Sequence, residues 1–113
     1  MISIDLITKE RRLQITEKKY DDKHDDYHDK GELLQAAKCY IEYVCLNSKI
    51  MDNTNDSYVN NLKIYRSGKR PENWPPQFDK DSWNPDSPIR DLVKAAALIA
   101  AEVDRRMRIP DKF

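Results

Sequence analysis

The stretch SPIRDLVKAAALIAAEVDRRMR, residues 87–108, carries the clearest helical pattern in the chain and decides the fold class. Ser87 has a side-chain oxygen that can cap a helix, and Pro88 suits the first helical position. Apolar residues then recur at helical spacing and predict a stripe that faces the core: Leu92, Ala96, Ile99 and Val103. Arginines crowd the end, where the helix dipole favours cations, and Pro110 is predicted to stop the helix.

Two more helices are predicted before this one. A first helix is expected from about Ile4 to Lys18, with apolar positions at Leu6, Ile7, Leu13 and Ile15. A second is expected to end near Asn47, and its start is marked by Asp29 and Glu32 at the spacing of a capping box. Its apolar residues fall on one face: Leu33, Ala36, Ala37, Tyr40, Ile41 and Val44.

The rest of the chain predicts irregular structure. Residues 48–61 are rich in Asn, Asp and Ser and predict a loop, while residues 58–66 fit either a short helix or a strand. Residues 68–88 hold five of the six prolines, which exclude a regular helix there. The aromatic residues of this segment, Trp74, Phe78 and Trp83, suggest an ordered meander. The sequence therefore predicts one all-α domain over residues 1–113, a small three- to four-helix bundle with an irregular meander rich in proline and tryptophan.

Composition excludes several classes of protein. Lys plus Arg is 20 and Asp plus Glu is 20, so no net positive charge would draw the chain to nucleic acid non-specifically. The mean hydropathy is −0.88, and no apolar run approaches the roughly 18 to 20 residues of a membrane-spanning helix. Only two glycines are present, so there is no glycine-rich phosphate loop.

The amino terminus and the cysteines indicate the compartment. Residues 1–12 carry several charges and lack the apolar region of a secretory signal. Cys39 and Cys45 lie six residues apart on a predicted helix, so they point about 120° apart and do not pair easily. We expect both to be small buried hydrophobic residues in a reducing cytoplasm.

The densest chemistry lies in HDDYHDKGE, residues 24–32. Asp25, Asp26 and Glu32 supply the hard oxygen ligands that Mg²⁺ prefers. His24 and His28 share a face if the turn is helical, and they would then ligate a metal or act as a general base. Alternatively, the run is a solvated acidic turn that leads into a capped helix.

The last helix carries a second candidate group, because five of its residues fall within about 80° of one another: Asp91, Lys94, Leu98, Glu102 and Arg105. In a functional interpretation, Lys94 holds a phosphate with Arg90 nearby, and Glu102 holds a metal or a sugar hydroxyl. The alternative is surface ion pairing at i,i+3 spacing, worth only tenths of a kcal/mol per pair.

Aromatic and polar residues elsewhere offer further ligand contacts. Tyr40, Trp74, Phe78 and Trp83 have ring faces that either stack a nucleobase, at about 1 to 3 kcal/mol per base, or close a small core. Glu10, Arg11 and Gln14 on the first helix face the same cavity or simply face water.

Two groups of residues share a pattern with known proteins. The first is Glu10-Arg11 with Gln14, then HDDYHDKGEL over residues 24–33, Ala36-Ala37 and Tyr40. The second is Trp83-x-Pro85, then DLVKA over residues 91–95 and ALIAAEVDR over residues 97–105. Together they resemble a family of short proteins of tailed bacteriophages and prophages, which read HDDxHxxGEL early and W-x-P…DLVKAgALIxAEI-x-R late. The resemblance omits residues 47–71, which it marks as a member-specific insertion or loop, and it implies the cytoplasm of a bacterial host.

A weaker similarity, at the level of the fold, is to the MazG-like all-α nucleotide pyrophosphohydrolases, which bind Mg²⁺ with E-x-x-E and E-x-x-D helices. Glu32-Leu33 followed by a helix of small residues resembles half of that arrangement. The chain departs from the pattern at Asp29, where a Glu is usual, and at Lys94, which stands three residues after Asp91. An ammonium there would repel a divalent cation and attract a phosphate.

Two functional hypotheses follow. In the first, a phage-encoded protein binds a small phosphorylated nucleotide without turnover and so sequesters a host defence signal, with these ligand residues: Glu10, Arg11, Gln14, Asp26, His28, Tyr40, Trp83, Arg90 and Lys94. In the second, a MazG-like nucleoside triphosphate pyrophosphohydrolase holds Mg²⁺ with Asp25, Asp26, Glu32 and Glu102, while His24 or His28 positions water. A phage accessory protein that binds a host protein through its aromatic meander is a third option.

The site hypotheses share a geometric prediction, which is that five residues converge: Asp26, His28, Glu32, Lys94 and Glu102. A homo-oligomer is also expected. MazG-like enzymes assemble their sites between protomers, and the small residues at 95–97, 100 and 101 would permit close approach of helices.

Overall fold

The structure of the protein, a computed structural model, describes residues 1–78 and 80–109. Its regular secondary structure is helical. The helices are α1 (Ile2–Thr16), α2 (Asp22–Tyr27), α3 (Glu32–Asn47), α4 (Tyr58–Arg66) and α5 (Pro88–Met107), with short 3₁₀ helices at Ser48–Asp52 and Lys80–Ser82. The described residues contain no strand, so the predicted all-α class is confirmed. Across the same residues, no helix is both long and apolar enough to cross a membrane.

The ends of α4 and α5 follow from local capping. The Ser87 hydroxyl accepts a hydrogen bond from the Arg90 N–H at 3.2 Å, and Pro88 is the first helical residue, as predicted. Ser57 caps α4 in the same way. The ambiguous segment 58–66 is therefore a helix, and the loop predicted over residues 48–61 contains a 3₁₀ helix and the start of α4. Pro110, predicted to stop α5, lies outside the described residues.

The start of α3 differs from the prediction. Asp29 is exposed and is not the cap; the N-cap is Gly31, whose φ of +87° favours a residue without a Cβ. Glu32 turns back and accepts a hydrogen bond from the Lys30 N–H at 2.6 Å. The predicted capping box is therefore wrong, because Glu32 is the first residue of the helix and its carboxylate binds the Lys30 N–H instead of the N–H of a cap at Asp29.

The core forms mainly between α3 and α5 and is covered by the meander. Its buried members are Leu33, Ala36, Ala37, Cys39, Tyr40, Trp74, Phe78, Ala95, Leu98 and Ala101. Alanines on both helices allow their axes to approach closely. The alanines that suggested an oligomer therefore serve contacts within one chain at Ala95, Ala97 and Ala101.

The apolar stripe predicted for the last helix is wrong as a core face. Leu92, Ile99 and Val103 are 45%, 41% and 54% exposed. The helix instead buries a face that includes four charged residues, Asp91, Lys94, Glu102 and Arg105. This burial is tolerated because each charged side chain has an ion-pair partner, as described below.

Helix α1 shows the same inversion, because it buries Glu10 and Gln14 while Leu6 and Ile15 are exposed. Its bounds lie two residues earlier than predicted at each end. On α3, Ile41 is exposed although it belongs to the predicted stripe. Both cysteines are free thiols, Cys39 buried as expected and Cys45 exposed, contrary to the prediction. On α1 and α3, therefore, hydrophobic spacing alone does not identify every buried position.

Candidate functional site

A small cavity lies where α1, α3 and α5 meet the meander. Its volume is about 30 Å³, which is room for about two water molecules. The residues that line it are Glu10, Gln14, Lys18, Tyr20, Tyr40, Trp74, Phe78, Ser82 and Lys94. The cavity thus combines charged and amide groups from the helices with aromatic rings.

Helix α1 contributes a buried polar edge, Glu10 and Gln14, one helical turn apart and each 4% exposed. A Glu10 carboxylate oxygen, Oε2, lies 2.7 Å from the Arg90 guanidinium, which neutralises its charge. The Gln14 amide oxygen Oε1 is buried, and no donor among the described residues is hydrogen-bonded to it. Because an unpaired buried acceptor costs about 1 to 3 kcal/mol, this oxygen indicates a place for a bound donor.

Lys94 is the buried cation of the cavity, and its side chain is only 10% exposed. Its Nζ donates a hydrogen bond to the Asn84 carbonyl at 2.6 Å and lies 3.8 Å from Asp91 Oδ1. The ammonium also lies 5.6 Å from the centre of the Tyr40 ring, within the range of a cation–π contact. Burial lowers the pKa of Lys94, and the charge of Asp91 opposes this shift.

Asp91 supplies the carboxylate that pairs with the Lys94 ammonium. Its carboxylate is fully buried and accepts hydrogen bonds from the Tyr65 hydroxyl at 2.6 Å and the Asp86 N–H at 2.9 Å. Burial raises the pKa of Asp91, while these two hydrogen bonds and Lys94 lower it. Tyr65 belongs to α4, which lies in the segment that the phage resemblance marks as an insertion or loop. This segment therefore supplies a hydrogen bond to the carboxylate that pairs with Lys94.

Aromatic rings form the other wall. Tyr40 receives a hydrogen bond from the Asn84 N–H at 3.2 Å, and burial raises the pKa of its phenol. Trp83 stacks on Tyr40 with 4.8 Å between ring centroids, and Trp74 meets Tyr40 edge-on. Phe78 continues this packing against Trp74. The wall is therefore built of buried rings that pack on one another beside the charged residues of the helices.

Four of the nine predicted ligand residues line the cavity: Glu10, Gln14, Tyr40 and Lys94. Three others do not line the cavity, but each contacts a residue that does. Arg90 pairs with Glu10; Trp83 donates its indole N–H to the Gly68 carbonyl at 3.2 Å; and Arg11 donates to the Tyr20 carbonyl at 3.0 Å. The remaining two, Asp26 and His28, belong to a separate cluster.

That separate cluster is the HDDYH segment, where the carboxylates are bound by cations of the protein. Asp25 is fully buried; its Oδ2 lies 2.6 Å from the Arg11 guanidinium, and its Oδ1 lies 2.9 Å from His24 Nδ1. The exposed Asp26 pairs with Arg108 at 2.7 Å. These pairs fasten α2 to α1 and to the end of α5.

Glu32 and Glu102 are also occupied. Glu32 lies 3.1 Å from His28 Nδ1; burial opposes its ionisation, but hydrogen bonds from the backbone and His28 outweigh this effect and lower its pKa. Glu102 binds Arg105 at 2.7 Å and Arg106 at 2.8 Å, and the Arg105 hydrogen bond lowers its pKa. Both carboxylates are buried and already have partners within the protein: Glu32 is hydrogen-bonded to His28, and Glu102 is ion-paired with the two arginines.

The residues expected to converge do not surround one site. Lys94 lines the cavity, whereas its lining includes none of Asp26, His28, Glu32 and Glu102. His24 and His28 do share a face, with 4.5 Å between their ring centroids. Within residues 1–78 and 80–109, no group of three or more His, Cys, Asp or Glu residues is placed to hold a metal ion.

Sequence reasoning missed Lys18, Tyr20 and Ser82 as lining residues. Lys18 and Tyr20 reach the cavity because the chain reverses after α1, with Lys19 at a φ of +62°. The Tyr20 N–H then bonds to the Gln14 carbonyl at 2.7 Å. A left-handed residue here is usually Gly or Asn, and a lysine gives no such signal.

Comparison with known proteins adds no assignment: no family model, curated protein or solved structure matches this chain.

Proposed function

We propose that the protein binds a small phosphorylated nucleotide at this cavity and does not hydrolyse it. The observation that carries the proposal is the buried Lys94 ammonium, which lies on the cavity wall with the unpaired Gln14 oxygen and an aromatic wall. A phosphate, a sugar or base donor and a ring face would each find a complementary group there.

The charge of the cavity favours an anion. Lys18 and Lys94 contribute two ammonium groups, and Asp91 beside the cavity balances that of Lys94. The one carboxylate of the lining, Glu10, is neutralised by Arg90, so the charge of Lys18 remains to favour an anion. A phosphate oxygen would replace the Asn84 carbonyl as the acceptor for Lys94. Exchange of a neutral acceptor for a charged one strengthens the hydrogen bond in a buried site.

The size of the cavity sets a requirement on binding. A volume of about 30 Å³ is far below the several hundred Å³ of a pocket that takes a small organic ligand. The meander, which supplies Trp74, Phe78 and Ser82 to the wall, must therefore move when a nucleotide enters. We expect this movement to change the fluorescence of Trp74 and Trp83.

The acidic residues support binding rather than metal-dependent turnover. Each of the four carboxylates that a hydrolase would use for Mg²⁺ has an Arg or His partner within 3.1 Å. A metal ion would have to displace these partners, and the largely buried Arg11 and Arg105 would then lose their counter-charges. In the setting that the phage resemblance implies, retention of an intact nucleotide would withhold a host signal.

The test distinguishes binding from catalysis directly. The protein is incubated with a panel of nucleotides with and without Mg²⁺, and the nucleotides are analysed by chromatography before and after heat denaturation. Intact nucleotide that is depleted from solution and returns after heating supports the proposal. Nucleotide products without heating overturn it in favour of a hydrolase, and absence of both effects overturns it in favour of a protein-binding role.

A matched pair of variants assigns the site. Lys94→Met removes the buried ammonium and should raise the dissociation constant about 10- to 100-fold, the usual value of a charged hydrogen bond. Lys38→Met is the control, because Lys38 is on the exposed face of α3 and outside the cavity. Equal affinity in both variants would place the ligand elsewhere.

A further inference from the structure

One face of α5 is apolar and exposed to solvent. Ile89, Leu92, Ala96, Ile99 and Val103 follow one another at intervals of three, four, three and four residues, which is the spacing of a coiled-coil seam. Ala96 is half-buried and the other four are exposed, Ile89 by 70%. We call these five residues the α5 seam.

The seam cannot turn inward within one chain. The opposite face of α5 already carries four buried charged residues, and two of them, Asp91 and Lys94, are bound by groups outside the helix: the Asp86 N–H and the Asn84 carbonyl. Rotation of α5 would expose the core alanines and break these pairs. A continuous exposed apolar seam on a folded helix marks a contact with another molecule.

The two ends of the seam are complementary to each other. Beside Ile89 lies a groove of about 350 Å³ lined by Met51, Tyr58, Pro88 and the carboxylate-bearing Asp52, among others. At the other end, α5 finishes with an apolar side chain, Met107, which is 56% exposed, and a cation, Arg106. The Arg106 side chain binds Glu102 through its Nε and is still 58% exposed. One end of the seam thus has an apolar groove with the Asp52 carboxylate, and the other end has the Met107 side chain with the Arg106 guanidinium. The two ends could therefore pair with each other.

We propose that a second copy of the chain covers the α5 seam, with the two α5 helices antiparallel. A twofold axis between Ala96 and Ile99 places Leu92 against the partner's Val103 and Ala96 against the partner's Ile99. The same axis brings Met107 to the partner's groove and Arg106 near the partner's Asp52. A self-complementary surface of this kind closes as a dimer, and Ala96 permits close approach at its centre.

The first test is the oligomeric state, measured by sedimentation velocity over a range of concentrations. The native chain should reach a dimer, and Ile99→Glu should weaken it by more than about 30-fold, as expected for a residue at the centre of an interface. Leu46→Glu is the control, since Leu46 is 81% exposed and lies outside the seam. Circular dichroism confirms that both variants fold, which is expected because both positions face solvent.

The second test fixes the direction of the helices. In a Cys45→Ser background, Leu92→Cys and Val103→Cys chains are oxidised separately and as a mixture. A disulfide that joins the two chains only in the mixture supports the antiparallel arrangement. A disulfide that forms when the Leu92→Cys chain is oxidised by itself would show parallel helices and overturn this arrangement. In the first test, a native chain that stays monomeric at every concentration would overturn the dimer itself.

Discussion

Removal of one oxygen atom from Tyr65 tests whether the buried carboxylate beneath the site is stabilised as the structure indicates. Tyr65 and Asp91 are both fully buried, and the phenol donates a 2.6 Å hydrogen bond to Asp91 Oδ2. Tyr65→Phe keeps the ring and its packing and deletes only this donor. A hydrogen bond to a charged group contributes about 1.5 to 3 kcal/mol, so we expect the free energy of unfolding to fall by that amount at neutral pH.

The loss should depend on pH in a defined direction. Burial raises the pKa of Asp91 above that of an unfolded aspartate, and the Tyr65 hydrogen bond lowers it. The folded protein therefore takes up this proton at a higher pH than the unfolded chain, and ionised Asp91 costs stability above its raised pKa. Without the Tyr65 donor the pKa rises further. The difference between variant and native protein should then shrink toward about 0.5 to 1.5 kcal/mol, the value of a neutral hydrogen bond, as the pH falls through the pKa of Asp91.

Urea unfolding followed by circular dichroism at several pH values measures both quantities. Tyr58→Phe is the matched control on the same helix, because Tyr58 is 66% exposed and its hydroxyl should contribute less than about 0.5 kcal/mol. A loss below 0.5 kcal/mol for Tyr65→Phe at neutral pH, or a larger loss that does not change with pH, would refute the account of Asp91.

Three further substitutions probe the fold by urea unfolding. Arg11→Met leaves the buried Asp25 without its guanidinium and should cost about 3 to 5 kcal/mol; a cost under 1 kcal/mol would mean that the pair is not needed. Ser87→Ala removes the cap hydrogen bond to the Arg90 N–H and should cost about 1 kcal/mol, and an unchanged midpoint would contradict the capping geometry. Gly31→Ala places a Cβ at a φ of +87° in otherwise open space, so we expect a loss of about 1 to 2 kcal/mol from backbone strain alone, and a gain in stability would contradict it.

Signals that act over a few residues were sufficient to predict α1, α3 and α5, whereas they did not predict α2 and did not decide between a helix and a strand for α4. Ser87 and Pro88 begin α5 because capping depends only on the next three residues. The end of α3 at Asn47 and the irregular meander were equally local. The start of α3 was not, because the chain uses Gly31 in a left-handed conformation where Asp29 offered a plausible cap.

The face of each helix that becomes buried could not be predicted in this way. Periodicity groups Leu92, Ile99 and Val103 on one side of α5 and Asp91 and Lys94 on the other, but it assigns the inward side by hydrophobicity alone. The structure reverses this assignment, since Tyr65 and the Asn84 carbonyl, distant in sequence, satisfy the charged side. Such partners are invisible to a pattern read along one helix.

The candidate site divides along the same line. Glu10, Gln14 and Lys94 were predicted as ligand residues, and all three line the cavity, because helical spacing places each on the inward side of its helix. The acidic run was interpreted either as a metal site, because its carboxylates are close in sequence, or as a solvated turn. In the structure, Arg11 and Arg108 come from other parts of the chain and bind two of these carboxylates.

By itself the sequence determined the all-α class, the capped start of α5 at Ser87 and Pro88, and which residues share each helical face. Backbone hydrogen bonds and side-chain caps depend on near neighbours, so these features follow from spacing. Only the tertiary structure decided that α5 buries its charges and exposes its apolar seam, and that Gln14 and Lys94 meet an aromatic wall. The free energy of burying a charge depends on whether a partner lies within about 3 Å, and that is fixed only when distant segments pack together.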